Sequence, residues 1–211
     1  YNFRWIENLG THMIKEITIT CGSTILMKTS GEYLAAMVER DFTEEKKKLF
    51  YKMTGYTPEL TDPANINGRN NTYPNAYYTT SGTGAEPSIR GRNIYVPLNT
   101  WFTLNHKCAF PLVALQYNEL VIEVTLRPIS ELFQVRDVFD SEFNFPYVKP
   151  DFNEARFQMY RFLQSPPSVL SGSEQYENKI NTWNADVHLL STYCFLSKEE
   201  QERVAKNDHV Y

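Results

Sequence analysis

Residues 94–127, IYVPLNTWFTLNHKCAFPLVALQYNELVIEVTLR, carry apolar runs with no helical period, and Pro97 and Pro111 break them. Proline has no amide hydrogen to donate and clashes inside a helix, so a run punctuated in this way predicts strands. The pattern is plainest at its end. Leu120, Ile122, Val124 and Leu126 alternate with Val121, Glu123, Thr125 and Arg127, the period of two that gives a strand one apolar and one wetter face. The whole run reads as a strand pair of the kind found in β-sandwiches.

Two further strand regions follow from the same reasoning. Ile17, Ile19 and Cys21 alternate with Thr18 and Thr20, and Gly22-Ser23 offers a tight turn into residues 24–27, which predicts a β-hairpin. Near the other end, Val187, Leu189, Ser191, Tyr193 and Phe195 alternate with His188, Leu190, Thr192, Cys194 and Leu196. A strand over residues 186–196, partly buried on both faces, is expected there.

Short helices are expected between the strands. Ser30 is placed to cap a helix over residues 31–42, whose Leu34, Met37, Val38 and Phe42 recur at helical spacing. Thr43 is placed to cap another over residues 44–52, where Glu44 and Glu45 precede the one basic run, Lys46 to Lys48, and can pair with Lys48 one turn on. Ser197 and Glu200 have capping-box spacing and open a helix to about Lys206. Two stretches, about 54–92 and 136–182, lack any period and are rich in turn residues and aromatics; they read as long loops that make contacts. With 211 residues, 14 Tyr and 13 Phe, there is bulk for one large all-β domain.

Charge and cysteine use narrow the function. A formal net charge of −4 does not supply the concentrated positive field of a general nucleic-acid or membrane-surface binder. No stretch is long and apolar enough to be a membrane-spanning helix. Cys21, Cys108 and Cys194 are odd in number, far apart and set among apolar neighbours, which predicts buried free thiols and a reducing compartment. A chain that opens at Tyr1 and stops at Tyr211 is expected to be a piece of a longer protein.

Candidate chemistry is thin. His12, His106, His188 and His209 lie in separate segments, none with a partner at zinc spacing, so no metal and no cofactor is expected. His106 and Lys107 could lower the pKa of the Cys108 thiol, which raises the reading of a small-barrel enzyme, but residues 109–111 continue into an apolar run and favour a structural cysteine. Asp137 with Asp140, and Glu199 with Glu200, are carboxylate pairs of a kind any chain this acidic offers. Tyr73, Tyr77 and Tyr78 could stack on sugar rings, which makes a carbohydrate-binding β-sandwich the alternative to a structural protein.

Taken as blocks, YVPL at 95–98, Trp101-Phe102 and FPLVALQYNE at 110–119 closely resemble the major capsid proteins of nucleocytoplasmic large DNA viruses. Residues 5–22, WIENLGTHMIKEITITCG, with Gly31-Glu32-Tyr33-Leu34 after them, resemble that family's strand and glycine turn. Residues 194–211, CFLSKEEQERVAKNDHVY, resemble the strand-to-helix block that closes its first jelly roll. Ser23, residues 105–109 and Asn118 depart from the commoner family residues.

The resemblance implies an antiparallel jelly-roll β-sandwich with short helices and long inter-strand loops. Residues 1–211 would be most of the first of two jelly rolls, the second lying outside this chain. It implies a homotrimer of pseudo-hexagonal outline that meets neighbouring capsomers and minor capsid proteins in an icosahedral shell, assembled in the host cytoplasm and part of the virion. It implies no catalytic residue, no cofactor, no metal, no direct contact with nucleic acid and no membrane insertion.

Overall fold

The computed structural model describes residues 3–71, 77–78, 85–86, 89, 91–115, 117–151, 154, 157 and 186–207. Its largest sheet is built around one strand. β2 (Ile14–Cys21) pairs antiparallel with β3 (Thr24–Thr29) on one side and with β6 (Leu120–Leu126) on the other, in the order β3-β2-β6. The hairpin arises where expected: Gly22 takes φ 58° in the turn, a conformation a Cβ would resist. A register shift between Ile19 and Thr20 marks a bulge.

The alternation of β6 is realised at three of its four apolar positions, Val124 being exposed. Leu120, Ile122 and Leu126 turn inward with Ile14, Ile17 and Ile19 of β2 to form the first core, which α2 (Gly31–Asp41) closes with Leu34 and Met37. Ser30 caps α2, its side chain accepting the Tyr33 amide at 3.2 Å. α3 (Glu44–Thr54) follows Thr43 and ends at Gly55 in the left-handed region, φ 83°. Its basic run is tied through Lys47 and not the expected Lys48: Lys47 bridges Glu44 at 3.1 Å and Glu39 of α2 at 3.0 Å. Reaching back to Glu39 joins two helices, a contact that spacing along one helix does not reveal.

A second sheet, in the order β1-β7-β8, comprises β1 (Phe3–Trp5), β7 (Phe133–Arg136) and β8 (Tyr147–Val148), all antiparallel. Phe3, Phe133, Val135 and Phe157 form its core. Beside it, Leu9 of α1 (Leu9–His12), Leu60 of α4 (Pro58–Thr61) and Leu132 make a third cluster. β4 (Tyr77–Tyr78) and β5 (Ala85–Glu86) form a minimal pair within the expected 54–92 loop, which also holds α4. Antiparallel sheets with short helices agree with an all-β reading in its coarse form.

Three expectations are corrected. Of the strand pair read over residues 94–127, only β6 is a strand among the described residues. Residues 91–100 have no regular structure, and α5 (Trp101–Leu104) and 3-10 turns at His106–Cys108 and Leu112–Ala114 follow. Pro97 and Pro111 cannot donate to a ladder, and the segment finds cover differently: the Tyr95 amide bonds the Met53 carbonyl at 2.9 Å while Val96, Leu98 and Phe102 lie over the first core.

Residues 186–196 are likewise not a strand but an exposed irregular run; Phe195 is 97% exposed. A strand requires a neighbour's carbonyls and amides, and none of the described strands runs beside this segment. The cysteines are free, as read, but not buried: Cys21 and Cys108 are intermediate and Cys194 is exposed along with its segment.

The helix after Ser197 does form, as α6 (Lys198–Lys206), with the full capping box: Ser197 accepts the Glu200 amide and Glu200 accepts the Ser197 amide at 2.9 Å. The 136–182 region is described only in part, with turns over residues 138–145 and then β8. Of residues 152–163 only 154 and 157 are described.

Candidate assembly surface

The residues that drew attention for chemistry are scattered. Cys108 ends a 3-10 turn, its amide bonded to the Asn105 carbonyl at 3.0 Å, and the Lys107 amide is held by Asn105 Oδ1. These bonds make residues 105–108 a self-contained turn. His12 Nδ1 lies 3.2 Å from the Asn8 carbonyl at the end of α1, and His188 lies 2.9 Å from Asp186 on the exposed run. His209 and Tyr73, and the side chains of His106, Tyr77 and Tyr78, lie outside the described residues.

Three of the four paired carboxylates accept backbone amides. Asp137 accepts the Phe139 amide and Asp140 the Phe143 amide, both at 3.1 Å, which shapes the turn before β8. Glu200 is held by the Ser197 amide and hydroxyl, and these bonds lower its pKa below the usual glutamate value. Glu59 is lowered in the same sense, first by its own backbone amide and then by Thr57, at the start of α4. Lys47 is raised by its hydrogen bonds to Glu39 and then Glu44. Among the described residues no three or more His, Cys, Asp or Glu stand close enough to hold a metal ion.

What the molecule offers instead is surface. Val187, Leu189, Leu190, Tyr193 and Phe195 project from the exposed run, and Ile25, Leu26 and Val121 stand on the outer side of the β3-β2-β6 sheet. β3 and β6 are edge strands of that sheet among the described residues, with their outer amides and carbonyls facing no described strand. An open groove of about 520 Å³ runs along β3, bounded by Met27, Ser30 and Tyr33. α6 buries none of its residues, although it lies beside the turn at Leu112–Ala114. Large apolar groups in water are costly, and such groups gathered on one body mark places where contact is made. Nothing in the sequence reading pointed to the outer side of the hairpin; the signal available was Ile25 and Leu26 side by side in a strand only six residues long.

These features set the chain among strand-rich proteins that present faces and edges for contact. It belongs to the major capsid protein family of nucleocytoplasmic large DNA viruses: the family model for the major capsid protein N-terminus matches residues 1–163. The chain is 26% identical over 216 residues to the major capsid protein of Chrysochromulina ericina virus, covering 99% of the chain and 32% of that protein. Against the major capsid protein of Phaeocystis pouchetii virus it is 24% identical over 213 residues, with 99% of the chain and 34% of that protein covered. Against that of Frog virus 3 the figures are 29% over 129 residues, 61% of the chain and 25% of that protein. The chain thus spans about a third or less of the length of the curated relatives it matches.

Proposed function

We propose that this chain is most of the first jelly roll of a viral major capsid protein, a shell-building unit whose work is shape and association rather than catalysis. The family match over residues 1–163 carries this reading. The pairing of β2 supports it: one neighbour, β3, is local, and the other, β6, comes from far along the chain, the non-local return that Greek-key sandwiches require. In the full protein a second jelly roll follows, and three copies form a capsomer of pseudo-hexagonal outline. That capsomer meets its neighbours and minor capsid proteins in an icosahedral shell of the virion, assembled in the host cytoplasm.

In this reading the regions about 54–92 and 136–182 supply the outward tower or the trimer contact, while the sheets supply a rigid wall. Threefold closure makes each contact heterologous, with one patch of a copy meeting a different patch of the next. The mass of the full-length protein in solution tests this, measured intact and with the two loop regions shortened. The intact protein is expected at three times its chain mass and the shortened one at a lower mass; a stable monomer in both forms would remove the proposal.

A further inference from the structure

The second sheet has a core side and an outer side, and the outer side is the floor of an open groove of about 550 Å³. Alternation sends Phe3, Phe133 and Val135 into the core and turns Arg4, Gln134 and Arg136 outward, with Tyr147 opposite Arg136 on β8. Arg4 reaches across β7. Its Nε and Nη2 donate to Gln134 Oε1 at 3.0 and 2.8 Å, and its guanidinium lies over the Tyr147 ring, 4.0 Å from the centroid. Arg136 donates its Nε to the Phe145 carbonyl at 3.1 Å. Both guanidiniums are therefore held in place by neutral acceptors, and neither forms an ion pair among the described residues, whereas Arg40 pairs with Asp41 and Arg127 with Glu32.

The walls are unusual backbone. Asn144 and Phe145 on one side take φ 58° and 56°, and Asn71 on the other takes φ 47°. A bulky phenylalanine is strained in that region, and here the strain sets the carbonyl that orients Arg136. Asn65 donates to Asp62 at 2.8 Å and accepts the Asn71 amide at 2.8 Å, so the opposite wall is a braced cluster of amide and carboxylate groups.

We infer that this groove binds an acidic saccharide, its carboxylate against Arg4 and Arg136 and its hydroxyls against Asp62 and Asn65. Oriented guanidiniums present paired N–H donors that suit a carboxylate. Glu7 and Asp62 balance the two arginines, which disfavours a polyphosphate or a nucleic acid, since those need an uncompensated positive field. The floor is the face of a sheet and not its edge, so it offers no main-chain ladder to an extended peptide. The volume lies within the range of small-ligand sites and has room for one or two sugar rings.

Saturation-transfer difference NMR on the full-length protein tests the inference, with methyl β-D-glucuronide as probe and methyl β-D-glucoside, acetate and an aspartyl dipeptide as comparisons. The glucuronide is expected to bind at least about tenfold more tightly than any of the three, because both its charge and its hydroxyls are engaged. Arg136→Gln is expected to weaken it by about tenfold, the worth of a charge-assisted hydrogen bond. Asn65→Ala, on an exposed wall residue whose loss leaves the cores intact, is expected to weaken it by a few fold. Equal binding of the dipeptide or the glucoside, or an Asn65→Ala variant that binds as the parent does, would overturn the inference. Capsomer mass is independent of the groove, so the failure of this inference and of the capsid reading would be told apart.

Discussion

Gly31 shows how one residue can hold two elements together. It opens α2 directly against the chain leaving α1, and a Cβ there would fall on the carbonyl oxygens of Thr11 and Ile14. Backbone cannot step aside as a flexible side chain does, so Gly31→Ala is expected to cost about 1–3 kcal/mol through displacement of the first core. Gly91, whose Cβ position is open, is the control: Gly91→Ala is expected to change stability by no more than about 0.5 kcal/mol. Thermal melts of the two variants check both. The sequence flagged Gly31 as part of a family block, but glycine alone does not tell a turn requirement from a close approach. That distinction depends on α1, whose four residues are too few to show a period.

Among the elements, those whose cause is local were legible. The β2–β3 hairpin follows from threonine-isoleucine alternation closed by Gly22, and α2 and α6 follow from Ser30 and Ser197 with the residues three positions on. The two strand readings that failed share one reason: a period of two records which way side chains point and says nothing of what lies alongside. Residues 94–115 had the composition of strands but were diverted by proline to cover the core, and residues 186–196 have the alternation without a described neighbour. The polar groove was not legible, because Arg4, Gln134 and Tyr147 come from three segments that meet only through strand pairing.

The capping box also makes α6 sensitive to acid. Glu200 has its pKa lowered by the Ser197 amide and hydroxyl, so its contribution is present above the ordinary glutamate value and is lost as pH falls through the depressed one. A carboxyl-detected NMR titration should place the Glu200 midpoint below the ordinary glutamate value of 4.5. Ser197→Ala should return it toward that value and fray the first turn of α6. An unchanged midpoint in the variant would show that the box does not hold in solution.

At the scale of the whole molecule, the apolar run at 186–196 outweighs its length. Leu190 is 77% exposed and Phe195 97%, yet neither contributes to any of the three cores. Replacing both with serine should therefore leave the stability of this 211-residue chain within about 0.5 kcal/mol of the parent. The same change should lower its tendency to associate, as read by sedimentation velocity over a range of concentrations. A large loss of stability would mean that the run is packed in solution.

The central position of β2 sets a timetable for synthesis. Its partner β3 leaves the ribosome almost at once, but Leu120, which must lie against Cys21, arrives about a hundred residues later, on the order of 5–20 s at ordinary elongation rates. For that interval the nascent chain carries a finished hairpin with one raw side. Neighbouring nascent chains then compete with the chain's own later segment for the same row of hydrogen bonds, and yield depends on how well the hairpin is shielded while it waits.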